Sequence, residues 1–489
     1  MPPLDRESCT RALEARDPRF DGVFFVGITS TGVYCRPICP ARTTLRKNRR
    51  FFSTAAAAER SGFRPCLRCR PELAPGFARV DAVPRLAESA AARIAAGALN
   101  GSGVEDLAAE LGVSGRQLRR AMRQELGVSP IELAQTHRLL LAKHLLTDTR
   151  LPISTVAFAS GFQSLRRFNA LFSTRYRLKP DSLRRRKSRG PAADPNDGVT
   201  LTLSYRPPFD WDALLAFLDR RATPNVELVD GRVYARTVCI DGRVGTIRVE
   251  PAKRRGKSGA TPHALDLAVS ASLVPVLMQV SARTRQLFDL DAEPEKIESH
   301  LAAAGLMPCR ALRRGLRVPG AFDGFELAVR AVLGQQVTVK GATTLMARLT
   351  TAFGEPANAA DPALSRLAAT AERLANAHIS SIRAIGLPIA RATTIHMLAR
   401  HVAGGELRLE PDADVRSVTK QLLDIPGIGP WTTEYVAMRA LHWPDAFPSG
   451  DLVLRRRVGN VTSAQLLKKA EAWRPWRAYA AMQLWMQPG

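Results

Sequence analysis

GVYCRPICPARTTLRKNRRFFSTAAAAERSGFRPCLRCR, residues 32–70, is the stretch on which the reading of the whole chain turns. It holds four of the seven cysteines, in two close pairs: Cys35 with Cys39, and Cys66 with Cys69. Two pairs separated by a long loop suit a single tetrahedral zinc, whose ligands converge from two chain segments. Disulfides are the weaker reading, because the N-terminal MPPLDRESCT is no secretory signal and nothing else marks the chain as secreted. On spacing alone the metal would be a structural staple. The surroundings argue for more. Arg36, Arg42, Arg46, Lys47, Arg49, Arg50, Arg64, Arg68 and Arg70 crowd the site, and a zinc–thiolate centre facing a phosphate backbone has use for such a cationic shell.

Composition points the same way. The chain is 489 residues long, enough for several domains, and carries a net charge of +26. Residues 1–190 hold 34 Lys+Arg against 16 Asp+Glu, so the N-terminal part is strongly basic. A polyanionic partner follows. Nucleic acid fits better than membrane, since no apolar run approaches the roughly 18 residues of a span. A cytoplasmic location is expected. Cys9, Cys239 and Cys309 have no close cysteine neighbour in sequence and read as ordinary thiols.

Taken in order, residues 15–42, ARDPRFDGVFFVGITSTGVYCRPICPAR, and 62–69, GFRPCLRC, resemble the N-terminal domain of the Ada family over residues 1–75. The resemblance implies one zinc held by Cys35, Cys39, Cys66 and Cys69, with Cys35 as the acceptor of methyl groups from DNA methylphosphotriesters. Such a displacement suits a metal-activated thiolate, which is the nucleophilic form of cysteine.

VEDLAAELGVSGRQLRRAMRQELGVSP, residues 104–130, has Val104, Leu107, Ala108 and Leu111 at helical spacing, a break at Gly112 and a cap at Ser114. This is helix-turn-helix grammar, and the second helix exposes Arg116, Arg119 and Arg120. ISTVAFASGFQSLRRFNALFSTRYRLKP, residues 153–180, repeats the pattern around Gly161 and offers Arg166 and Arg167. A helix between them, residues 131–146, would hold two readers at a fixed separation on successive major-groove faces. The pair resembles the AraC-type double helix-turn-helix domain over residues 85–185. An activator of that type is expected to meet promoter DNA and RNA polymerase.

Residues 186–200 read as a linker rich in charge, proline and glycine. Beyond it, TLTLSY, VELVDGRVYARTVCI and GTIRVEP alternate like strands with DG turns. Residues 201–312 thus form a small α+β unit. Residues 205–237 resemble the N-terminal domain of AlkA-type DNA-3-methyladenine glycosylases. Residues 313–489 read as helical. LLDIPGIGPWTTEYVAMRALHWPDAFPSGD, residues 422–451, places a glycine turn between helices, where Gly427 and Gly429 let backbone approach a phosphate. With Asp451 about twenty residues beyond that turn and WRPWRAYAAMQLW at 473–485, this part resembles the AlkA branch of the helix-hairpin-helix glycosylases. The expected fold is therefore multidomain and mainly α, with α+β parts.

The AlkA resemblance makes Asp451 the catalytic carboxylate and Phe217, Trp431, Tyr435 and Trp485 the base pocket. Aromatic rings would hold an extruded cationic base. Trp431 stands where bifunctional relatives carry a nucleophilic lysine, which implies a monofunctional enzyme. No cysteine follows Cys309, so no iron–sulfur cluster is expected. Gln336 falls where some relatives insert an apolar wedge into DNA, and Leu452 where some have a tyrosine. A regulator with a vestigial, merely DNA-binding glycosylase region is the alternative reading.

Overall fold

In a computed structural model of the chain, residues 5–41, 44–76, 86–183, 198–253, 263–307 and 311–487 are described. Residues 186–197 of the expected linker lie outside them, as do Arg42 and Cys309. The chain divides into two units. One comprises Met1–Ala78, Arg85–Pro207 and Ala252–Ala282; the other is chiefly Pro208–Pro251 and Arg283–Gly489.

In the first unit, four short strands form a sheet in the order β3-β1-β2-β4, with β1 Phe25–Ile28, β2 Val33–Cys35, β3 Arg49–Phe52 and β4 Arg64–Pro65. The parallel pairing of β2 with β4 decides the metal site. It sets Tyr34 opposite Pro65, and the Cys66 N–H donates to the Tyr34 carbonyl at 2.9 Å. Residues 31 apart in sequence thus become neighbours at the strand ends. Phe25, Tyr34, Ala58 and Phe63 pack beneath the sheet, supported by the helix Ala55–Arg60.

Six helices follow: Leu86–Ala95, then two pairs joined by a long one. The first pair is Val104–Glu110 and Gly115–Glu125, the second Ile153–Ala159 and Leu165–Tyr176. Ser114 caps its helix in a reciprocal box with Gln117, and Ser164 caps the other. Between them runs Pro130–Asp148, started by a Ser129–Glu132 box. Its 19 residues span about 28 Å at the α-helical rise. Leu107, Leu118, Met122 and Leu133 make the core of the first pair. A ladder of rings, Phe162–Phe168–Phe172–Tyr176, with centroids 5.1, 5.5 and 4.8 Å apart, holds the second.

The bridging helix is fastened to the cysteine-bearing segment by buried polar groups. Lys143 pairs with Glu72 and also donates to the Cys66 carbonyl at 3.4 Å. Arg70 forks onto Asp148 at 2.8 and 2.7 Å. Glu59, fully enclosed, accepts from Tyr34 at 3.1 Å and Thr136 at 3.0 Å.

Residues 199–269 supply five further strands: β5 Val199–Ser204, β6 Glu227–Asp230, β7 Val233–Ile240, β8 Arg243–Pro251 and β9 Ala264–Val269. β5 and β9 pair antiparallel in the first unit, and β6, β7 and β8 form an antiparallel meander in the second. From Gly324 on, the described residues of the second unit are helical. Gly324–Leu333 is buried from Phe325 onward, and Val339–Phe353 follows after the Gly334–Thr338 turn. Val415–Asp424 and Pro430–Arg439 form the helical hairpin, and Arg477–Trp485 closes the domain. None of the described helices is long and apolar enough to cross a membrane.

Burial pushes the Glu59 carboxyl up to about 7, against 4.5 for a free glutamate, although its hydrogen bonds oppose the shift. The folded state therefore holds this proton more tightly than the unfolded chain. The stability it lends is complete below about 4.5 and is lost as the pH rises through about 7. The thermal stability of the first unit should accordingly fall between pH 5 and 7.5 (on the order of 3 kcal/mol for a shift of this size), and Glu59→Gln should flatten that slope. Parallel melting curves for the two proteins across this range would show that Glu59 titrates normally.

Candidate functional site

Two constellations stand out, one in each unit. The first is the cysteine cluster. Cys35 ends β2, Cys39 follows a turn closed by its own N–H on the Arg36 carbonyl at 3.1 Å, and Cys66 and Cys69 follow β4. All four are buried, and their ligand atoms lie within 4.8 Å of one another. A tetrahedral zinc with Zn–S bonds of about 2.3 Å requires sulfurs about 3.8 Å apart, so this set fits. The backbone agrees: the N–H of Arg36 donates to the Cys69 sulfur and that of Arg68 to the Cys66 sulfur, both at 3.3 Å. Such donors favour ionised sulfur. The thiols also perturb one another: their mutual hydrogen bonds pull Cys39 below the usual thiol range and push Cys35 above it.

The cationic shell around the cluster is of two kinds. Arg36 is buried against Asp21 and donates to the Cys69 carbonyl at 3.2 Å. Arg49 is buried and reaches Glu14 at 3.0 Å, while Arg70 is held by Glu72 and Asp148. These three are struts. Lys47, Arg50 and Arg68 are exposed, Arg50 lying 5.5 Å over the Phe52 ring. Sequence spacing alone could not separate the two kinds, because the carboxylates that occupy the struts lie elsewhere in the chain. On the helix-turn-helix pairs, Arg116, Arg120, Arg166 and Arg167 are exposed, whereas Arg119 is engaged by Glu105 at 2.8 Å.

The second constellation surrounds Asp451. This residue caps the helix Leu452–Arg457, and its Oδ1 accepts from the Leu454 N–H at 3.0 Å. The indole N–H of Trp485 also donates to Oδ1, and that of Trp431 to Oδ2, each at 3.1 Å. The expected catalytic residue is thus also the N-cap of this helix. Trp431 and Tyr435, one helical turn apart, stack with centroids 5.2 Å apart and planes 10° apart; Trp485 tilts against Tyr435 at 6.4 Å. Phe217 lies deepest, 2% exposed, with Arg221 over one ring contact at 3.7 Å and Arg439 at 5.1 Å. Sequence reasoning missed both arginines. The signal for Arg439 was its position one turn beyond Tyr435.

The hairpin turn sits beside this cluster. Gly427 has φ +91°, and a Cβ there would lie 2.2 Å from the Thr394 hydroxyl. Gln335, also missed, donates to the Gly427 carbonyl at 2.9 Å and to the Thr432 hydroxyl at 3.0 Å. Gly429, with nothing within 4 Å of a built Cβ, serves no internal packing. Gln336 is exposed at the tip of its turn with φ +57°. Exposed Leu452 adjoins Asp451.

Four family models match the chain: "Metal binding domain of Ada" over 8–72, "Helix-turn-helix domain" over 107–186, "AlkA N-terminal domain" over 200–323 and "HhH-GPD superfamily base excision DNA repair protein" over 329–474. A protein of Mycobacterium tuberculosis, "Probable bifunctional transcriptional activator/DNA repair enzyme AlkA", is 39% identical over 488 residues, covering 98% of this chain and 96% of its own. The chain belongs to this family of Ada–AlkA fusion proteins. It is therefore a bifunctional transcriptional activator and DNA repair enzyme, and DNA is its partner. Other relatives match parts of the chain. "DNA-3-methyladenine glycosylase 2" of Escherichia coli is 36% identical over 293 residues, 59% of this chain and 97% of that one. "Bifunctional transcriptional activator/DNA repair enzyme Ada" of the same organism is 52% identical over 60 residues, 12% of this chain and 17% of that one.

The glycines of the hairpin should behave differently from each other. Gly427→Ala should destabilise the second unit by about 2 kcal/mol, through strain at positive φ and collision with Thr394. Gly429→Ala should change stability by less than about 0.5 kcal/mol. Denaturant unfolding of both variants checks this; equal losses would mean that the turn is held by something other than the Thr394 contact.

Proposed function

We propose that the chain reads and repairs alkylated DNA with two separate chemistries. In the first, the Cys35 sulfur attacks the methyl carbon of a methylphosphotriester; the C–O bond breaks and an ordinary phosphodiester leaves. One zinc, bound by Cys35, Cys39, Cys66 and Cys69, would keep the sulfurs ionised at neutral pH. The thioether product is stable, so each chain acts once. Methylation also removes one negative charge from the sulfur set, which lessens repulsion from the phosphate backbone. Lys47, Arg50 and Arg68 then hold the DNA, and Arg116, Arg120, Arg166 and Arg167 read the promoter, with Arg119 released from Glu105 on binding. RNA polymerase is the further partner of such an activator, and the cytoplasm its place of work.

In the second chemistry, Asp451 lies against the deoxyribose of an extruded alkylated base such as 3-methyladenine. As the N-glycosidic bond breaks, positive charge grows on the sugar, and the carboxylate stabilises it and orients the attacking water. Trp431, Tyr435 and Trp485 enclose the base, with Phe217 behind them. Gly427 and Gly429 bring the hairpin backbone to a phosphate, and Gln336 fills the gap left in the duplex. With Trp431 in place of a lysine no Schiff base forms, so the strand is not cut, and no iron–sulfur cluster takes part. The observation that carries this reading is the pair of indole N–H donors on Asp451, which aim a carboxylate at the edge of an aromatic cluster.

The two activities should separate by mutation. Asp451→Asn keeps the size and the cap but loses the charge, and should lower 3-methyladenine release about 10²–10³-fold, with methyl transfer to Cys35 intact. Cys35→Ala should do the reverse. Both assays on both variants, with circular dichroism as a folding control, decide the matter; base release by Asp451→Asn at the wild-type rate would refute the assignment. The methyl switch is tested independently. Metal analysis of the intact chain should return one zinc, and methylated protein should bind promoter DNA more tightly than unmethylated protein at matched salt. Equal affinities would leave the charge argument without support.

A further inference from the structure

The helix Pro430–Arg439 carries a charge that the pocket described so far does not use. Trp431, Tyr435 and Arg439 recur every four residues and lie on one face, one turn apart. At the first station Trp431 meets Asp451. At the third, Arg439 lies over the rings of Tyr435 and Phe217 at 5.5 and 5.1 Å. It donates to the Tyr435 hydroxyl at 2.8 Å and to the Pro319 and Gly320 carbonyls at 2.8 and 3.0 Å. Arg221 backs it, 3.7 Å over Phe217.

Neither guanidinium has a carboxylate partner among the described residues. Of the acids packed around them, Glu326 holds Arg236 at 2.6 Å and Glu227 faces the same arginine at 3.9 Å, while Arg330 is spent on the Thr223 hydroxyl at 2.6 Å. Arg439, about 12 Å along the helix from Trp431, thus keeps a charge with no ion-paired carboxylate among the described residues, and Arg221 adds a second one beside it. The Tyr435 hydroxyl, between the two ends, responds to that field: burial pushes it up, but Arg439 and Arg221 outweigh burial and hold it below the usual phenol range.

When an N-glycosidic bond breaks, its electron pair moves onto the base nitrogen. The sugar becomes more positive and the base less so, whatever charge the base began with. A carboxylate on the sugar side and guanidiniums on the base side both favour that displacement. We propose that Arg439, backed by Arg221, is a positioning residue that acts through Tyr435 to draw the bond's electrons toward the base, and so sets the enzyme's range of leaving groups. This rests on the glycosylase reading above. Water adds to C1′ in either case. A cationic alkylpurine departs neutral and the proton of the water goes to solvent; a neutral purine departs with that proton on its leaving nitrogen.

The two kinds of base then respond differently to loss of the charge. A cationic base is repelled by Arg439 when bound, and the repulsion is relieved as the bond breaks, so Arg439→Gln tightens binding while it slows cleavage. A neutral base gains nothing in binding and only loses the pull. Arg439→Gln should therefore lower kcat/KM for hypoxanthine in DNA about tenfold and change kcat/KM for 3-methyladenine by less than about threefold. Arg439→Lys should restore the hypoxanthine rate. Equal losses on both bases would mark Arg439 as merely structural and overturn the inference, as would a wild type that releases 3-methyladenine but no hypoxanthine. A wild type that releases neither base refutes the glycosylase reading itself. Should Arg439→Gln not fold, Arg221→Gln, at a half-buried position, carries the same prediction in weaker form.

Discussion

Everything that holds Asp451 is neutral. Two indole N–H groups and one backbone N–H fix its oxygens, and no cation is paired with it among the described residues. A guanidinium would fix a carboxylate equally well, but it would cancel much of the field that a developing sugar cation needs. The constraint reaches far into the second unit. Trp431 must come from the helix after the hairpin turn, Trp485 from the last helix, and the backbone donor from the helix that Asp451 itself caps. The hairpin is tied to the same point, since Gln335 binds both the Gly427 carbonyl and Thr432, the residue after Trp431. The element proposed to hold DNA and the group proposed to act on it are thereby fixed by one short stretch of chain.

The first unit uses charge the other way. Lys143 with Glu72, Arg70 with Asp148 and Arg36 with Asp21 are paired and largely buried. Pairs of this kind repay little net stability, because desolvation offsets their attraction, but breaking one leaves a costly orphan. Their effect is to fix geometry. Cys66 and Cys69 are thus set firmly against the long helix that joins the two helix-turn-helix pairs. A sensor segment joined to it only by apolar contacts could slide; one joined by forked arginine pairs has a defined register.

Local chemistry made much of this legible in the sequence. The cysteine pairs, the Ser114 cap, the break at Gly112 and the IPGIG turn each depend on residues within a few positions, and the structure forms all of them. The Trp431–Tyr435 stack also follows from helical spacing. Long-range partners did not show. Nothing near Phe217 in sequence announces that Arg439, more than two hundred residues away, lies over its ring. Nothing near Gly427 announces Thr394 or Gln335. Such contacts are set by tertiary packing, to which periodicity and propensity are blind.

Arginine shows the limit most sharply. The nine basic residues around the cysteines look alike in the sequence, yet Arg36, Arg49 and Arg70 are internal struts, and Lys47, Arg50 and Arg68 face outward. What separates them is the location of carboxylates 15, 35 and 78 residues away. The net charge of +26 is therefore an upper guide to attraction for DNA rather than a measure of contact. The opposite error arises at Arg439 and Arg221, which lie against Phe217 behind the predicted base pocket and read in the sequence as ordinary core arginines. They have no ion-paired carboxylate among the described residues, and a cation kept from water without a counter-charge is costly. A chain that keeps buried Arg439 and half-buried Arg221 beside an aromatic cluster bears that cost where, on the reading proposed above, positive potential would assist the departure of a base.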